Sequence, residues 1–177
     1  AGKINRMKTS INTALISIFV VSIVLMFIGL IICRPILKLM DTPDNILSEA
    51  EIYLKIYFWG LPFLFMFNVI SSIFNALGKS MIPLAFLIFS SVLNVVLDIY
   101  FISALNAGIK GAAYATLIAQ LISAVLSFAY LMLHLKKTEH NGTVSLFSFR
   151  LLKNMCRVAI PSTVQQSIVS VGMLLIQ

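Results

Sequence analysis

The sequence predicts an all-α bundle of membrane-crossing helices, about five of them. Three observations carry that expectation. The chain contains five apolar runs long enough to cross a bilayer, for which about 20 residues suffice. Of its residues 60% are hydrophobic and only 11% charged, too few charges to cover the surface of a water-soluble domain. Those charges also gather at the ends of the apolar runs.

The first run is Ile11 to Cys33, preceded by Lys3, Arg6 and Lys8. A basic start and an apolar stretch also describe a signal peptide. This stretch is 23 residues without a charge, longer than such a core, and no small-residue cleavage site follows it, so it reads as a span. The second run is Ile56 to Gly78, with a polar approach around Tyr53. The third is Met81 to Ile109, interrupted by Asp98 alone. The fourth is Gly111 to Leu133, and the fifth is Val158 to Gln177. Inside hydrocarbon a helix satisfies all its own backbone groups, so each run is expected to be helical. Pro62 and Pro161 lie inside runs and mark expected kinks. The start at Ala1 and the end at Gln177, within an apolar run, read as cut ends of a longer chain.

Between the runs, Thr42-Pro43-Asp44 reads as a helix start with Pro43 at the first position. Leu105 to Lys110 reads as a short turn between the third and fourth helices. Residues 145–153, Ser-Leu-Phe-Ser-Phe-Arg-Leu-Leu-Lys, read as an amphipathic helix lying on the membrane surface. Five crossings alternate the loops between two sides. One set carries nine basic residues: Lys3, Arg6, Lys8, Lys79, Lys136, Lys137, Arg150, Lys153 and Arg157. The other carries four: Arg34, Lys38, Lys55 and Lys110. The positive-inside rule assigns the first set to the cytoplasm. Tyr53, Tyr57, Phe58 and Trp59 then fit an outer aromatic belt.

The net charge of +7 raises nucleic acid as a partner. The charges form no basic stripe interleaved with stacking aromatics, so nucleic acid is excluded as the expected partner. The lipid bilayer takes its place. Cys33 and Cys156 have no metal-ligand spacing and are expected to stay free. His134 and His140 flank a loop and are expected to be solvated. The Asn141-Gly142-Thr143 sequon falls on the cytoplasmic side and is discounted. No phosphate loop or catalytic constellation is present, and no enzyme or cofactor is expected.

The chemistry rests on polar residues inside the spans. Asp98 is the one charge within the third run, and a carboxylate in hydrocarbon persists where it meets a cavity, a partner or an ion. Asn94 precedes it by four residues, on the same helix face, with Ser91 three earlier. On the fourth run Thr116, Gln120 and Ser123 follow helical spacing. At 1.5 Å per residue Asp98 lies about 9 Å inside the outer end of its helix and Thr116 about 8 Å inside its own. A short turn joins the two helices, so Asn94, Asp98 and Thr116 are expected to converge. Such oxygen-rich groups exchange a proton or hold a hard cation such as Na⁺. Two more stripes, Asn68, Ser71, Ser72 and Asn75 on the second run and Ser162, Gln166 and Ser170 on the fifth, are expected to bond between helices. Ser91, Gln120, Asn68 and Gln166 are candidates for lining a cavity. Ala112, Ala115 and Ala119 allow close helix packing.

Taken in order, several segments resemble one family, the multidrug and toxic compound extrusion (MATE) transporters, in its bacterial members. They are "DTPDNILSEAEIYLKIYFWGLPFLF", "NALGKSMIPL", "NVVLD", "GIKGAAYATLIAQ" and "IPSTVQQSIVSVGMLLIQ". The resemblance implies a twelve-helix, two-lobe transporter. Residues 1–135 would be helices three to six of the first lobe, 136–157 the linker between lobes with its amphipathic helix, and 158–177 most of helix seven. It also implies a multi-pass protein of the cell membrane that exports drug-like amphipathic or cationic compounds against H⁺ or Na⁺, working with the remaining helices of the full transporter. Asn94, Asp98 and Thr116 match positions of the family's cation-linked site. Two alternatives stand beside this one. A lipid-linked oligosaccharide flippase of related architecture would carry basic residues within its spans. A membrane scaffold would keep its polar stripes away from water.

Overall fold

The computed structural model describes residues 2–104, 108–137 and 145–176. All of its regular elements are helices: α1 (Gly2–Leu39), α2 (Asp44–Ala76), α3 (Met81–Ile99), a π-helical turn (Tyr100–Ala104), α4 (Gly108–Lys137) and α5 (Phe149–Ile176). The described residues contain four helices long and apolar enough to cross a membrane: α1, α2, α3 with its π turn, and α4. His140 and the 141–143 sequon fall outside the described residues.

The helices outrun the apolar stretches. α1 starts nine residues before Ile11 and continues past Cys33, through Pro35, to Leu39. Hydropathy reports the solvent around a segment, whereas the helix continues until something stops it. At the end of α1 the stop is a Schellman turn. Asp41 takes a left-handed φ of 51°, its N–H bonds Lys38 O at 3.1 Å, and Thr42 N–H bonds Leu37 O at 3.1 Å. The same motif ends α2. Gly78 has φ 73° and donates to Asn75 O at 3.0 Å, while Lys79 N–H reaches Phe74 O at 2.9 Å. Pro43 caps α2 and is not its first residue, which is Asp44. Of the expected turn at 105–110, residues 108–110 belong to α4, and 105–107 fall outside the described residues.

By contacts the chain divides into two compact units, residues 18–139 and residues 1–17 with 140–177. In the larger unit α4 packs chiefly on α2, and also on α3. Every fourth residue of α4 from Gly111 to Leu135 is buried: Gly111, Ala115, Ala119, Ser123, Ser127, Leu131 and Leu135. Small side chains fill the first five places, which lets backbones approach closely. A row of this kind drifts about 40° around the helix per step, so it passes from one neighbour to the next. At its far end Phe74, fully buried on α2, meets Tyr130 (5.7 Å between centroids) and His134 (6.2 Å); Phe86 of α3 meets Tyr130 at 5.9 Å. His134 is therefore packed as well as solvated, and its Nε2 lies 3.1 Å from Lys79 Nζ. The second half of α1 joins α2 through Cys33, Leu37 and Leu47, backed by Ala50, Leu54 and Phe58. Cys33 is free and its thiol donates to Glu51 O at 3.7 Å. Beside it Glu51 holds Lys55 at 2.6 Å and Arg34 at 3.7 Å.

In the smaller unit the start of α1 meets the start of α5. The expected surface helix over 145–153 does not stand as a separate element. Residues 145–148 are non-helical, and the helix beginning at Phe149 continues unbroken through Pro161 to Ile176. No sequence feature between Arg150 and Arg157 is a helix breaker, so nothing separates a surface segment from the apolar run beginning at Val158.

Candidate functional site

The site is built on the facing sides of α3 and α4. Met81–Ile99 forms a helix because it is a run of apolar residues with its one proline, Pro83, in the first turn, where the missing N–H is not needed. That helix carries Asn94 and Asp98 on one face, one turn apart. Thr116 stands opposite on α4. Asn94 Nδ2 donates to Thr116 Oγ1 at 3.3 Å, and the same hydroxyl donates to Ala112 O, one turn back on α4, at 3.1 Å. The hydroxyl is thus both anchored to its own helix and engaged across the interface, and all three predicted side chains are half-buried.

Asp98 is the unfinished member. Its Oδ1 is buried and accepts no hydrogen bond among the described residues. A buried oxygen of this kind is costly to leave unmade. No ion pair from Lys or Arg to Asp98 is present among the described residues. The facing helices thus carry one carboxylate oxygen without a hydrogen bond, one helical turn along α3 from an amide bonded to a hydroxyl of α4. No group of three or more His, Cys, Asp and Glu side chains forms among the described residues. The donor set is accordingly one carboxylate with neutral oxygens, the kind suited to a proton or a hard monovalent cation.

Thr116 also borders a small cleft between α4 and α2, about 10 Å³ in volume, room for about one water molecule. Tyr53, Tyr57, Gly60 and Gln120 line it too. Gly60 leaves room for the Gln120 amide: a Cβ there would stand 2.7 Å from Gln120 Oε1, the far end of a flexible side chain, which would have to shift. Gln120, a candidate for lining a cavity, borders this cleft. The contribution of Gly60 was not legible, because a glycine inside an apolar run gives no sign of what approaches it.

The other predicted residues do not join. Ser91 and Asn68 are exposed, and Gln166 lies exposed on α5 in the smaller unit. Four side chains of the stripes expected to bond between helices bond within their own helix. Asn68 Nδ2 donates to Leu64 O (2.8 Å), Ser72 Oγ to Asn68 O (2.9 Å), Ser162 Oγ to Val158 O (3.0 Å) and Ser170 Oγ to Gln166 O (2.9 Å). Serine closes this loop readily inside a helix because its oxygen reaches the carbonyl one turn back. Ser123 leaves the Thr116–Gln120 face for the buried row of α4. The π turn that follows Asp98 directly was also unforeseen; at its start Tyr100 N–H bonds both Leu97 O and Val96 O. Turns of this type recur at functional sites.

The family model described as MatE matches residues 1–100, more than half of the chain and including Asn94 and Asp98. The chain belongs to the MatE family. Among its relatives, the Probable multidrug resistance protein YpnP of Bacillus subtilis (strain 168) is 42% identical over 106 residues, 60% of this chain and 24% of its own length. The Probable multidrug resistance protein YoeA of the same organism is 32% identical over 178 residues, 94% of this chain and 38% of its own. A solved structure of a multidrug resistance MATE family transporter in the outward-facing conformation superposes with a TM-score of 0.81 at 25% identity, over 94% of this chain and 37% of that one. The MatE chain thus spans between 24% and 38% of the length of these two curated relatives. It is a multi-pass protein of the cell membrane, from a family of transporters.

Proposed function

We propose that this MatE chain is part of a multidrug efflux antiporter, which exports amphipathic or cationic compounds in exchange for H⁺ or Na⁺. The observation that carries the reading is the orphaned, buried oxygen of Asp98 one turn from the Asn94–Thr116 bond. Cation or proton arrival at Asp98 would satisfy that oxygen and stabilise whichever arrangement of α3 and α4 holds it. A ligand shifts a two-state equilibrium by its difference in affinity for the two states. A site completed by both helices offers such a difference. In this reading α1–α4 belong to the first lobe, residues 136–157 link the lobes, α5 opens the second, and export proceeds by rocking of the lobes. The names of YpnP and YoeA support drugs as the cargo.

The test is drug efflux from proteoliposomes holding the complete transporter, under imposed H⁺ or Na⁺ gradients, for the natural protein and Asp98→Asn. Loss of gradient-driven efflux in a folded variant is the expected outcome, and the effective gradient names the ion. Unchanged coupling in Asp98→Asn would sink the assignment. Indifference of the natural protein to both gradients would overturn the antiporter reading itself.

A further inference from the structure

In the smaller unit, the stretch leading into α5 is fastened at one point and turned outward on either side of it. Ser148 N–H donates to Thr13 Oγ1 at 3.1 Å, across 135 positions of sequence. Thr13 is completely buried and gives its own proton to Thr9 O at 2.7 Å, which leaves a lone pair for Ser148. Ser148 is half-buried, while Leu146, Phe147 and Phe149 around it are 76%, 44% and 73% exposed. Beyond it α5 is two-sided. Leu151, Asn154, Met155 and Val158 look onto an open groove of about 580 Å³ shared with Arg6 and Ser10 of α1. At 3.6 residues per turn, Phe149, Arg150, Lys153, Cys156 and Arg157 occupy the arc away from that groove, and all five are exposed. No acidic residue occurs anywhere from Ser145 to Gln177.

We propose that residues 146–157 dock on an anionic phospholipid surface. Leu146, Phe147 and Phe149 enter the boundary between headgroups and acyl chains, and Arg150, Lys153 and Arg157 meet lipid phosphates. The chemistry is complementary on both counts. Exposed aromatic and aliphatic side chains suit the interface, and clustered cations with no acid beside them suit a negative leaflet. The Thr13 bond gives the docking a fixed partner within the protein, because it ties the start of α5 to α1. The proposal is independent of what the transporter carries and of which cation drives it.

Cys156, free and exposed on the docking arc, supplies the reporter. The full chain carrying Cys33→Ala is labelled at Cys156 with a fluorophore. It is then reconstituted into phosphatidylcholine vesicles with a small fraction of phosphatidylglycerol. A quencher is carried either by the phosphatidylglycerol or by the same fraction of phosphatidylcholine. Quenching at least about two-fold stronger from the anionic lipid is expected at low salt, with the preference lost at 1 M salt, where the screening length falls to about 3 Å. Arg150→Gln, Lys153→Gln and Arg157→Gln together should abolish the preference and leave the remaining quenching in place. Leu146→Ser, Phe147→Ser and Phe149→Ser together should weaken quenching by both lipids. Equal quenching by the two lipids at low salt overturns the proposal. So does a label shielded from both lipids and from a water-soluble quencher, which would mean that protein covers this arc.

Discussion

Two kinds of polar stripe run along the helices of this chain, and the sequence does not distinguish them. Asn94, Asp98 and Thr116 sit at helical spacing in apolar surroundings, and so do Asn68 and Ser72 on α2 or Ser162, Gln166 and Ser170 on α5. In the first set the bond from Asn94 reaches another helix. In the others Asn68, Ser72, Ser162 and Ser170 each turn back to a carbonyl of their own helix. The difference is the carboxylate. Serine, threonine and asparagine can satisfy a donor one turn back, whereas an ionised aspartate has only acceptors and the helix carbonyls offer it nothing. A stripe with an acid in it must look outward for a partner, and a stripe without one can close on itself.

The largest effect that would break this contrast is expected at Asp98. Asp98→Asn supplies its own donors and should lower gradient-driven efflux by about tenfold or more, equivalent to at least about 1.4 kcal/mol. Thr116→Val removes the acceptor for Asn94. At about 0.6 kcal/mol for a bond between membrane helices, it should shift the cation concentration for half-maximal efflux about three-fold, and Thr116→Ser should restore it. Gly60→Ala pushes only the mobile end of Gln120, so thermal unfolding in detergent should show a loss below about 1 kcal/mol. That loss should shrink when Gln120→Ala is added. Smallest of all, Ser72→Ala and Ser170→Ala should stay within about 0.5 kcal/mol in unfolding and leave efflux unchanged. A large transport defect in either serine variant would erase the distinction between the two stripes.

Much of the fold was legible because hydrocarbon imposes it. Long uncharged runs gave the helices, and Asp98 stood out because nothing else in its run is ionisable. The Asn94–Thr116 pairing followed from spacing and depth alone. What escaped depended on events outside the apolar runs or on local backbone choices. α1 passes beyond Cys33 because Arg34 and Lys38 are helix formers as well as charges. The start of α5 merges with the apolar run from Val158 because amphipathicity describes a face and not an end. Asp41 takes a left-handed φ usually given to glycine, and Ser123 joins a buried row set by every fourth residue of α4. Neither is visible in hydropathy.

The π turn at Tyr100–Ala104 has a bearing on how this chain can vary. A π turn is in effect an α turn carrying a surplus residue. Placed immediately beyond Asp98 and Ile99, it acts as slack in the register. Loss of one residue there returns the backbone to ordinary pitch and leaves residues 81–99 where they are. The same deletion between Asn94 and Asp98 would swing the carboxylate by about 100° around the helix. Length differences among homologous chains should therefore collect in this turn and the segment after it, while the four-residue interval from Asn94 to Asp98 stays fixed.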